Sequence, residues 1–396
     1  MTRNQLPPQI RKIEALDRKT GKSVVRYQLR VDGGVNPETG QRQQVKRRFD
    51  TEKAARGALA EIGNEATQGT FVARAALTVE QMCADYVTGR HNLRQTSSVK
   101  LEYDLGPLRE RYGDMSVQRL TKAHLDTLVS ELVAGGSRTA KGRTRRPWSA
   151  MSVNKSIDTW AMALADAVQQ GLVTRNVAEH VAHVAVRHQE IDTYTEQEVM
   201  VLLAAISGDR LGHAWELALS GLRRGEVAGL RWADVDLKAK TLSIVNNRVS
   251  AGGTTVENDP KSAMSRRTLP LPDRLVSVLK AAKARQAAER LALGTAVGAF
   301  DYVVSNEAGE PYNPAVLSRY WRDTVKRAGV RHIKLHAARH TCATLMHLSG
   351  VPVAVIAAWI GHKDASLTMR LYAHSQDDAL KAAGATLDRV VPLLRR

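Results

Sequence analysis

The chain has 396 residues, carries 58 Lys and Arg against 40 Asp and Glu, and has a formal net charge of +18 with a pI near 10.1. That length supplies two or three domains, and a chain with 25% charged and 43% apolar residues reads as globular, which excludes a disordered polymer. A basic excess of this size points to a polyanionic partner, nucleic acid first, although an RNA binder or a merely basic soluble protein fits the charge equally well.

The first strands are expected at 24–31 and 44–49, flanking the turn-forming "DGGVNPETGQ", with a helix following over 51–66. Residues 1–75 hold 15 Lys or Arg against 8 Asp or Glu. A small basic module rich in strands suits DNA-groove binding by a sheet, with Arg47 and Arg48 as candidate contacts. A solvated edge hairpin accounts for the same residues.

A linker at "TQGTFVARAA" leads to "TVEQMCADYV", where Thr78 and Gln81 stand in capping-box register. From there the pattern is helical, with helices at 78–90, 96–112, 121–134 and 150–171 and a short piece at 176–183. Between the third and fourth lies "SRTAKGRTRRPWSAMSVNK", with six basic and no acidic residues. It is either a solvated tract or a phosphate-contacting segment; on the second reading its contacts are Arg138, Lys141, Arg143, Arg145, Arg146 and Lys155.

"RHQEIDTYTEQE" reads as a second linker ending in another capping box, Thr195 with Glu198. Beyond it helices alternate with strands expected at 241–245, 266–271 and 300–304. Cys83 and Cys342 each fall in an apolar helical pattern and are expected to be buried thiols in a reducing compartment, with no disulfide or zinc framework. The N-terminus lacks an apolar signal core, and the longest apolar run, "VPVAVIAAWI", is too short to span a bilayer. The expectation is a cytoplasmic protein with no membrane segment.

"LHAARHTCATLMHLSG", residues 335–350, places His336, Arg339 and His340 on one face at the head of a helix, the end that favours anions. Taken alone, these are a pair of core or surface histidines beside a solvated arginine. A zinc site fails because Ala337 stands where H-E-x-x-H needs its glutamate, so no metal is expected. In "LALSGLRRGEVAGLRWADVD" Arg223 follows Gly-Leu, with Glu226 three residues on and apolar surroundings, so the carboxylate is expected to hold the guanidinium toward a cleft. Lys261 sits in "NDPKSAMSRRTLPL" between two expected strands, and "AAWIGHKDASLTMRLYAH" carries Gly361-His362 and then Tyr372.

This order resembles the tyrosine recombinase family of site-specific DNA recombinases, in particular its phage-integrase branch, whose motifs run G-L-R-x-x-E, a β-hairpin lysine, H-x-L-R-H-T, Leu-Gly-His and a final tyrosine. Ala338 and Ile360 replace two of the motif leucines, both at apolar packing positions, and Arg266 or Arg267 competes with Lys261 for the hairpin role. The resemblance implies a multidomain fold: a small α+β arm-binding module over 1–72, an all-α core-binding domain over 76–187, and a mainly α, α+β catalytic domain with a C-terminal tail over 192–396. It implies that Arg223, Arg339, His336 and His362 surround a phosphate, with Glu226 and His340 in support. Removing one such donor typically costs about 3 to 4 kcal/mol. Tyr372 is the implied nucleophile, only about 0.1% ionised at neutral pH without help, with His336 deprotonating or positioning it and Lys261 as general acid. No cofactor is implied. The implied partners are core-type and arm-type attachment sites in duplex DNA, three further protomers at synapsis, a host DNA-bending protein and an excisionase, in a bacterial or phage-infected cell. Two other readings remain: a non-cleaving DNA-binding regulator on the same scaffold, and a relaxase of the type IB topoisomerase kind.

Overall fold

The computed structural model describes residues 6–16, 23–35, 42–67, 77–139, 142–186, 191–258, 266–361 and 384. They form two compact units, divided in sequence at residue 187.

The first unit begins with an antiparallel meander of β1 (Ile10–Leu16), β2 (Ser23–Val35) and β3 (Arg42–Phe49). The sequence suggested only the last two strands. Ile10, Ile13 and Leu16 recur every third residue, which hides a period of two, and β1 is held by its register against β2, from Ile10 opposite Leu29 to Leu16 opposite Ser23. Helix α1 (Glu52–Thr67) covers one sheet face; Ala55, Ala58 and Ile62 close a small core with Ile10 and Leu29.

Four helices follow: α2 (Val79–Thr88), α3 (Gln95–Tyr112), α4 (Lys122–Ala134) and α5 (Ala150–Gln169). The expected capping box starts α2, with the Thr78 hydroxyl accepting from the Gln81 amide at 3.2 Å and the Gln81 side chain accepting from the Thr78 amide at 3.0 Å. The amphipathic face of α5 buries Val153, Ile157, Trp160 and Leu164 against α2 and α3. Trp160 donates its indole N–H to the Asp104 carbonyl at 2.9 Å, so its one polar atom is satisfied in the core. The expected short helix at 176–183 is a single 3₁₀ turn, Val177–His180.

The second unit packs α6 (Glu196–Ala205), α7 (Gly212–Leu219), α8 (Arg224–Gly229), α9 (Asp273–Ala292), α10 (Pro314–Arg327), α11 (Leu335–Leu348) and α12 (Val353–Ile360) with two small sheets. One sheet has the order β4 (Val235–Asp236), β5 (Thr241–Ile244), β8 (Arg267–Pro270), and the other is the hairpin β6 (Asn247–Ala251) with β7 (Thr254–Asn258). Trp215 and Trp321 meet edge to face at 5.6 Å in its core. The expected strand at 300–304 is not one: it makes an isolated bridge between Arg231 and Tyr302, and Val303 donates to the Leu230 carbonyl at 2.9 Å, a loop contact without a ladder. The β6–β7 hairpin was not foreseen. Its turn is Gly252-Gly253, with φ of +58° and +87°, the pair of left-handed residues that a tight hairpin requires. Cys83 is buried as expected, whereas Cys342 is only half-buried; both are free thiols.

Candidate active site

Arg223 is the residue that caps α8, and Glu226 completes the cap from the third helical position. The carboxylate accepts the Arg223 backbone N–H at 2.8 Å and its Nη1 at 2.7 Å. The Arg223 Nη2 donates to the Gly361 carbonyl at 2.7 Å, and 32% of the side chain stays exposed. Helix α8 is pressed onto β6 so closely that a Cβ on Gly225 would overlap the Asn247 side chain and the Arg248 carbonyl.

Glu226 is buried and held from a second side chain. Arg267 donates Nη1 and Nη2 to its two carboxylate oxygens at 3.1 and 3.0 Å, and Nε to the Trp359 carbonyl at 2.7 Å. Burial alone would raise the carboxyl pKa, but the hydrogen bonds and charge of Arg267, with the charge of Arg223, outweigh it and hold Glu226 below the usual carboxylate range. Arg267 is therefore a structural clamp on Glu226 and no rival to Lys261; Arg266 is exposed.

Arg339, on α11, is 1% exposed. It donates Nη1 to the Gly221 carbonyl at 2.6 Å and Nη2 to the Ile360 carbonyl, while its Nε has no partner among the described residues. Burial first, and the neighbouring Arg223 second, push its pKa down to about 9. The two arginines thus grip consecutive carbonyls, Ile360 and Gly361, at the end of α12. His362 is the next residue in the chain, but it lies outside the described residues, as do Lys261 and Tyr372.

A cleft of about 790 Å³ opens beside Arg223 and His336. It is lined as well by His332 and by the cations Arg224, Arg248, Arg322 and Lys334, which sequence reasoning missed. Arg224 and Lys334 were adjacent to the motifs and readable as such; Arg248 and Arg322 depend on the unforeseen hairpin and on α10, which only the fold brings together. His336 is exposed at the cleft yet surrounded largely by protein; that desolvation, then the cations Arg339, Arg223 and Arg224, lower its pKa, so its neutral, proton-accepting form is favoured. His340 meets His336 edge to face at 4.9 Å and does not line the cleft. Arg223, Glu226, His336, Arg339 and His340 are therefore assembled in one neighbourhood, with only Arg223, Glu226 and His336 lining the cavity.

In the first unit, strand alternation separates the two sheet faces. Gln28 pairs with Arg48 on one side and Arg11 on the other, while Lys46 pairs with Arg30, so Arg11, Arg26, Arg30, Lys46 and Arg48 share the face opposite α1. Arg47 pairs with Leu29 and belongs to the other face, half-buried. The basic segment after α4 presents Arg138, Arg143 and Arg146 exposed, whereas the Arg145 side chain is 12% exposed and pairs with Glu110. Lys155 is exposed on α5, and Lys141 lies outside the described residues.

A concentrated cationic cleft in the second unit and a basic sheet face in the first are each suited to a polyanion. Residues 193–379 match the Phage integrase family and residues 15–66 an Arm DNA-binding domain. The chain thus carries a phage integrase family domain and an arm DNA-binding domain, and its relatives are named tyrosine recombinases and integrases. It is 34% identical over 199 residues to a "Tyrosine recombinase XerC-like" protein of Caldanaerobacter subterraneus subsp. tengcongensis, covering 47% of this chain and 51% of that one. It is 25% identical over 285 residues to an "Integrase" of Saccharopolyspora erythraea (59% and 64% covered) and 21% identical over 370 residues to the ICEBs1 integrase of Bacillus subtilis (91% and 96% covered). The chain thus spans between half and two thirds of the first two relatives. Its fold is that of the Tn1549 transposon integrase solved with transposon right end DNA (TM-score 0.65, 18% identity, 78% of this chain and 99% of that one) and of a lambda integrase dimer bound to a COC' core site (TM-score 0.56, 15% identity, 94% and 96%). Among the described residues no helix is long and apolar enough to cross a membrane, and no group of three or more His, Cys, Asp or Glu is placed to hold a metal ion.

Proposed function

We propose that the protein is a site-specific DNA recombinase that integrates and excises a phage or other mobile element. Its three segments divide the work: 1–72 binds arm-type sites through the basic sheet face, 76–187 binds the core site, and 192–396 carries the chemistry. The single observation that carries this reading is the Glu226-anchored Arg223 facing a cationic cleft together with a neutral-leaning His336.

A scissile phosphate seated in that cleft meets Arg223 directly, and charge added to its oxygens as the fifth bond forms is met by a guanidinium already fixed in place. Arg339 holds the backbone at the Gly221 and Ile360 carbonyls, and so fixes the segment that leads into Arg223. The Tyr372 oxygen attacks phosphorus and its proton passes to His336; the bond to the 5′ oxygen breaks, and Lys261 protonates that oxygen. The product is a 3′-phosphotyrosyl link and a free 5′ hydroxyl. Attack by a 5′ hydroxyl from the partner duplex reverses the steps, so the strand is resealed with the energy of the original bond.

The partners of this activity are core and arm sites in duplex DNA, a homotetramer at synapsis, and a host DNA-bending protein and an excisionase that set direction, within the cytoplasm at the nucleoid. A nicked suicide duplex carrying the attachment site tests the reading. The wild type should form a covalent adduct that Tyr372→Phe abolishes, and two sites should recombine. Adduct formation with plasmid relaxation alone would identify a relaxase, and no adduct would identify a regulator.

A further inference from the structure

The basic segment between α4 and α5 is a closed hairpin. Gly136 donates to the Arg145 carbonyl at 2.8 Å, Arg145 donates back to the Ser137 carbonyl at 2.7 Å, and Thr139 donates to Arg143 at 2.9 Å, with Arg138 bridging to Thr144. Its descending arm is fastened to α3 by a ladder of side chains. Trp148 stacks on Tyr103 with ring centroids 5.0 Å apart and planes 8° from parallel. Arg145 lies over Trp148 at 5.6 Å and ion-pairs with Glu110, while Lys100 lies over Tyr103 at 5.2 Å from the other end. Trp148 also donates its backbone N–H to the Leu132 carbonyl at 2.9 Å, tying the same arm to α4.

We infer that this ladder is a latch, and that the hairpin it holds is a preformed arm for the phosphates of duplex DNA. Arg145 is a positioning residue in it and not a phosphate ligand. Arg138 and Thr144 are cross-strand partners, so their side chains share a face, and Arg146 follows two residues after Thr144 on that side. Arg138 and Arg146 are exposed. Arg145, between them in sequence, points to the opposite side and spends its charge on Glu110 and its planar face on Trp148. A hairpin fixed before binding spares the ordering cost that a loose basic loop would incur on meeting the backbone. The inference rests on the DNA-binding reading given above and assigns roles within it.

The test is the salt dependence of binding by the full chain to a random-sequence DNA duplex, measured for the wild type, Arg138→Gln, Arg145→Gln and Tyr103→Leu, each checked for folding by its thermal melt. Each phosphate contact contributes about 0.9 to the slope of log K against log salt. Arg138→Gln should lower that slope by about one. Arg145→Gln and Tyr103→Leu should weaken binding about three- to tenfold with the slope unchanged, and should speed tryptic cleavage after Arg138 and Arg143. A slope lowered by about one in Arg145→Gln would make Arg145 a phosphate ligand and overturn the latch, as would unchanged tryptic cleavage in both latch variants. A wild type without salt-dependent binding would overturn the DNA reading itself, a result distinct from a wild type that binds steeply while the latch variants match it.

Discussion

Arg267 donates both Nη groups to the Glu226 carboxylate, at 3.1 and 3.0 Å, so the group that orients Arg223 is itself held by a second guanidinium that lies away from solvent. Arg223 is thereby fixed through a carboxylate two arginines share. This is the arrangement that lets a long, flexible side chain act as a preorganised donor.

Glu226→Gln should cost about 3 kcal/mol or more in stability, because two cations lose their buried counter-charge. The sign with pH follows from the lowered carboxyl pKa: the stabilisation is present above the ordinary value of 4.5 and is lost as pH falls through the depressed folded value. Urea melts of wild type and variant between neutral and strongly acidic pH should therefore converge on the acid side. A constant gap across that range would contradict the clamp.

His213 gives a second acid-sensitive element. It is fully buried on α7, its Nε2 pairs with the Val303 carbonyl at 2.9 Å, and burial pushes its pKa from 6.5 down to about 4. The unfolded chain binds the proton first, so stability is full above about pH 6.5 and declines toward pH 4 by about 3 kcal/mol. Proton NMR of the His213 ring should show it still neutral at pH 5. A ring that titrates near 6.5 in the folded protein would refute this.

The sheet face separates two adjacent arginines. Arg48→Ala should lower the salt slope of arm-site binding by about one, and Arg47→Ala should leave it unchanged, because strand alternation sends only Arg48 to the basic face. Equal slope losses from both would show that the other face touches DNA.

Lys261 follows Glu257 by four residues, and Glu257 is anchored: it accepts from Arg231 Nη2 at 2.8 Å and from the Tyr302 hydroxyl. With Lys261 as general acid, Lys261→Ala should slow cleavage about 10²-fold or more, and Glu257→Gln should slow it less. Both losses should vanish on a substrate with sulfur in place of the bridging 5′ oxygen, which departs without a proton. Persistence of the Lys261→Ala defect on that substrate would remove the residue from the acid role.

Much of this architecture was legible because it is local. Thr78 with Gln81 and Thr195 with Glu198 announce helix starts through side chains three residues apart, and Arg223 with Glu226 announces the site in the same way. What escaped depends on distant partners. Residues 300–304 carry a strand's composition, yet Val303 and Val304 are buried as loop segments with no neighbouring ladder. Arg267 looked like a surface hairpin cation until Glu226, 41 positions away, took it inside. Arg339 was legible as a cation at a helix head, but its burial against Gly221 and Ile360 arises from α7 and α12 closing over it.

The most direct measurement is mass spectrometry of the protein trapped on a nicked attachment-site duplex, after digestion with nuclease and trypsin. A nucleotide 3′-phosphate attached to the peptide that contains Tyr372, absent in Tyr372→Phe and strongly reduced in Arg223→Lys, is the predicted result. A modified residue elsewhere in the chain, or an adduct undiminished by Arg223→Lys, would contradict the claim that this cleft activates that phenol against DNA.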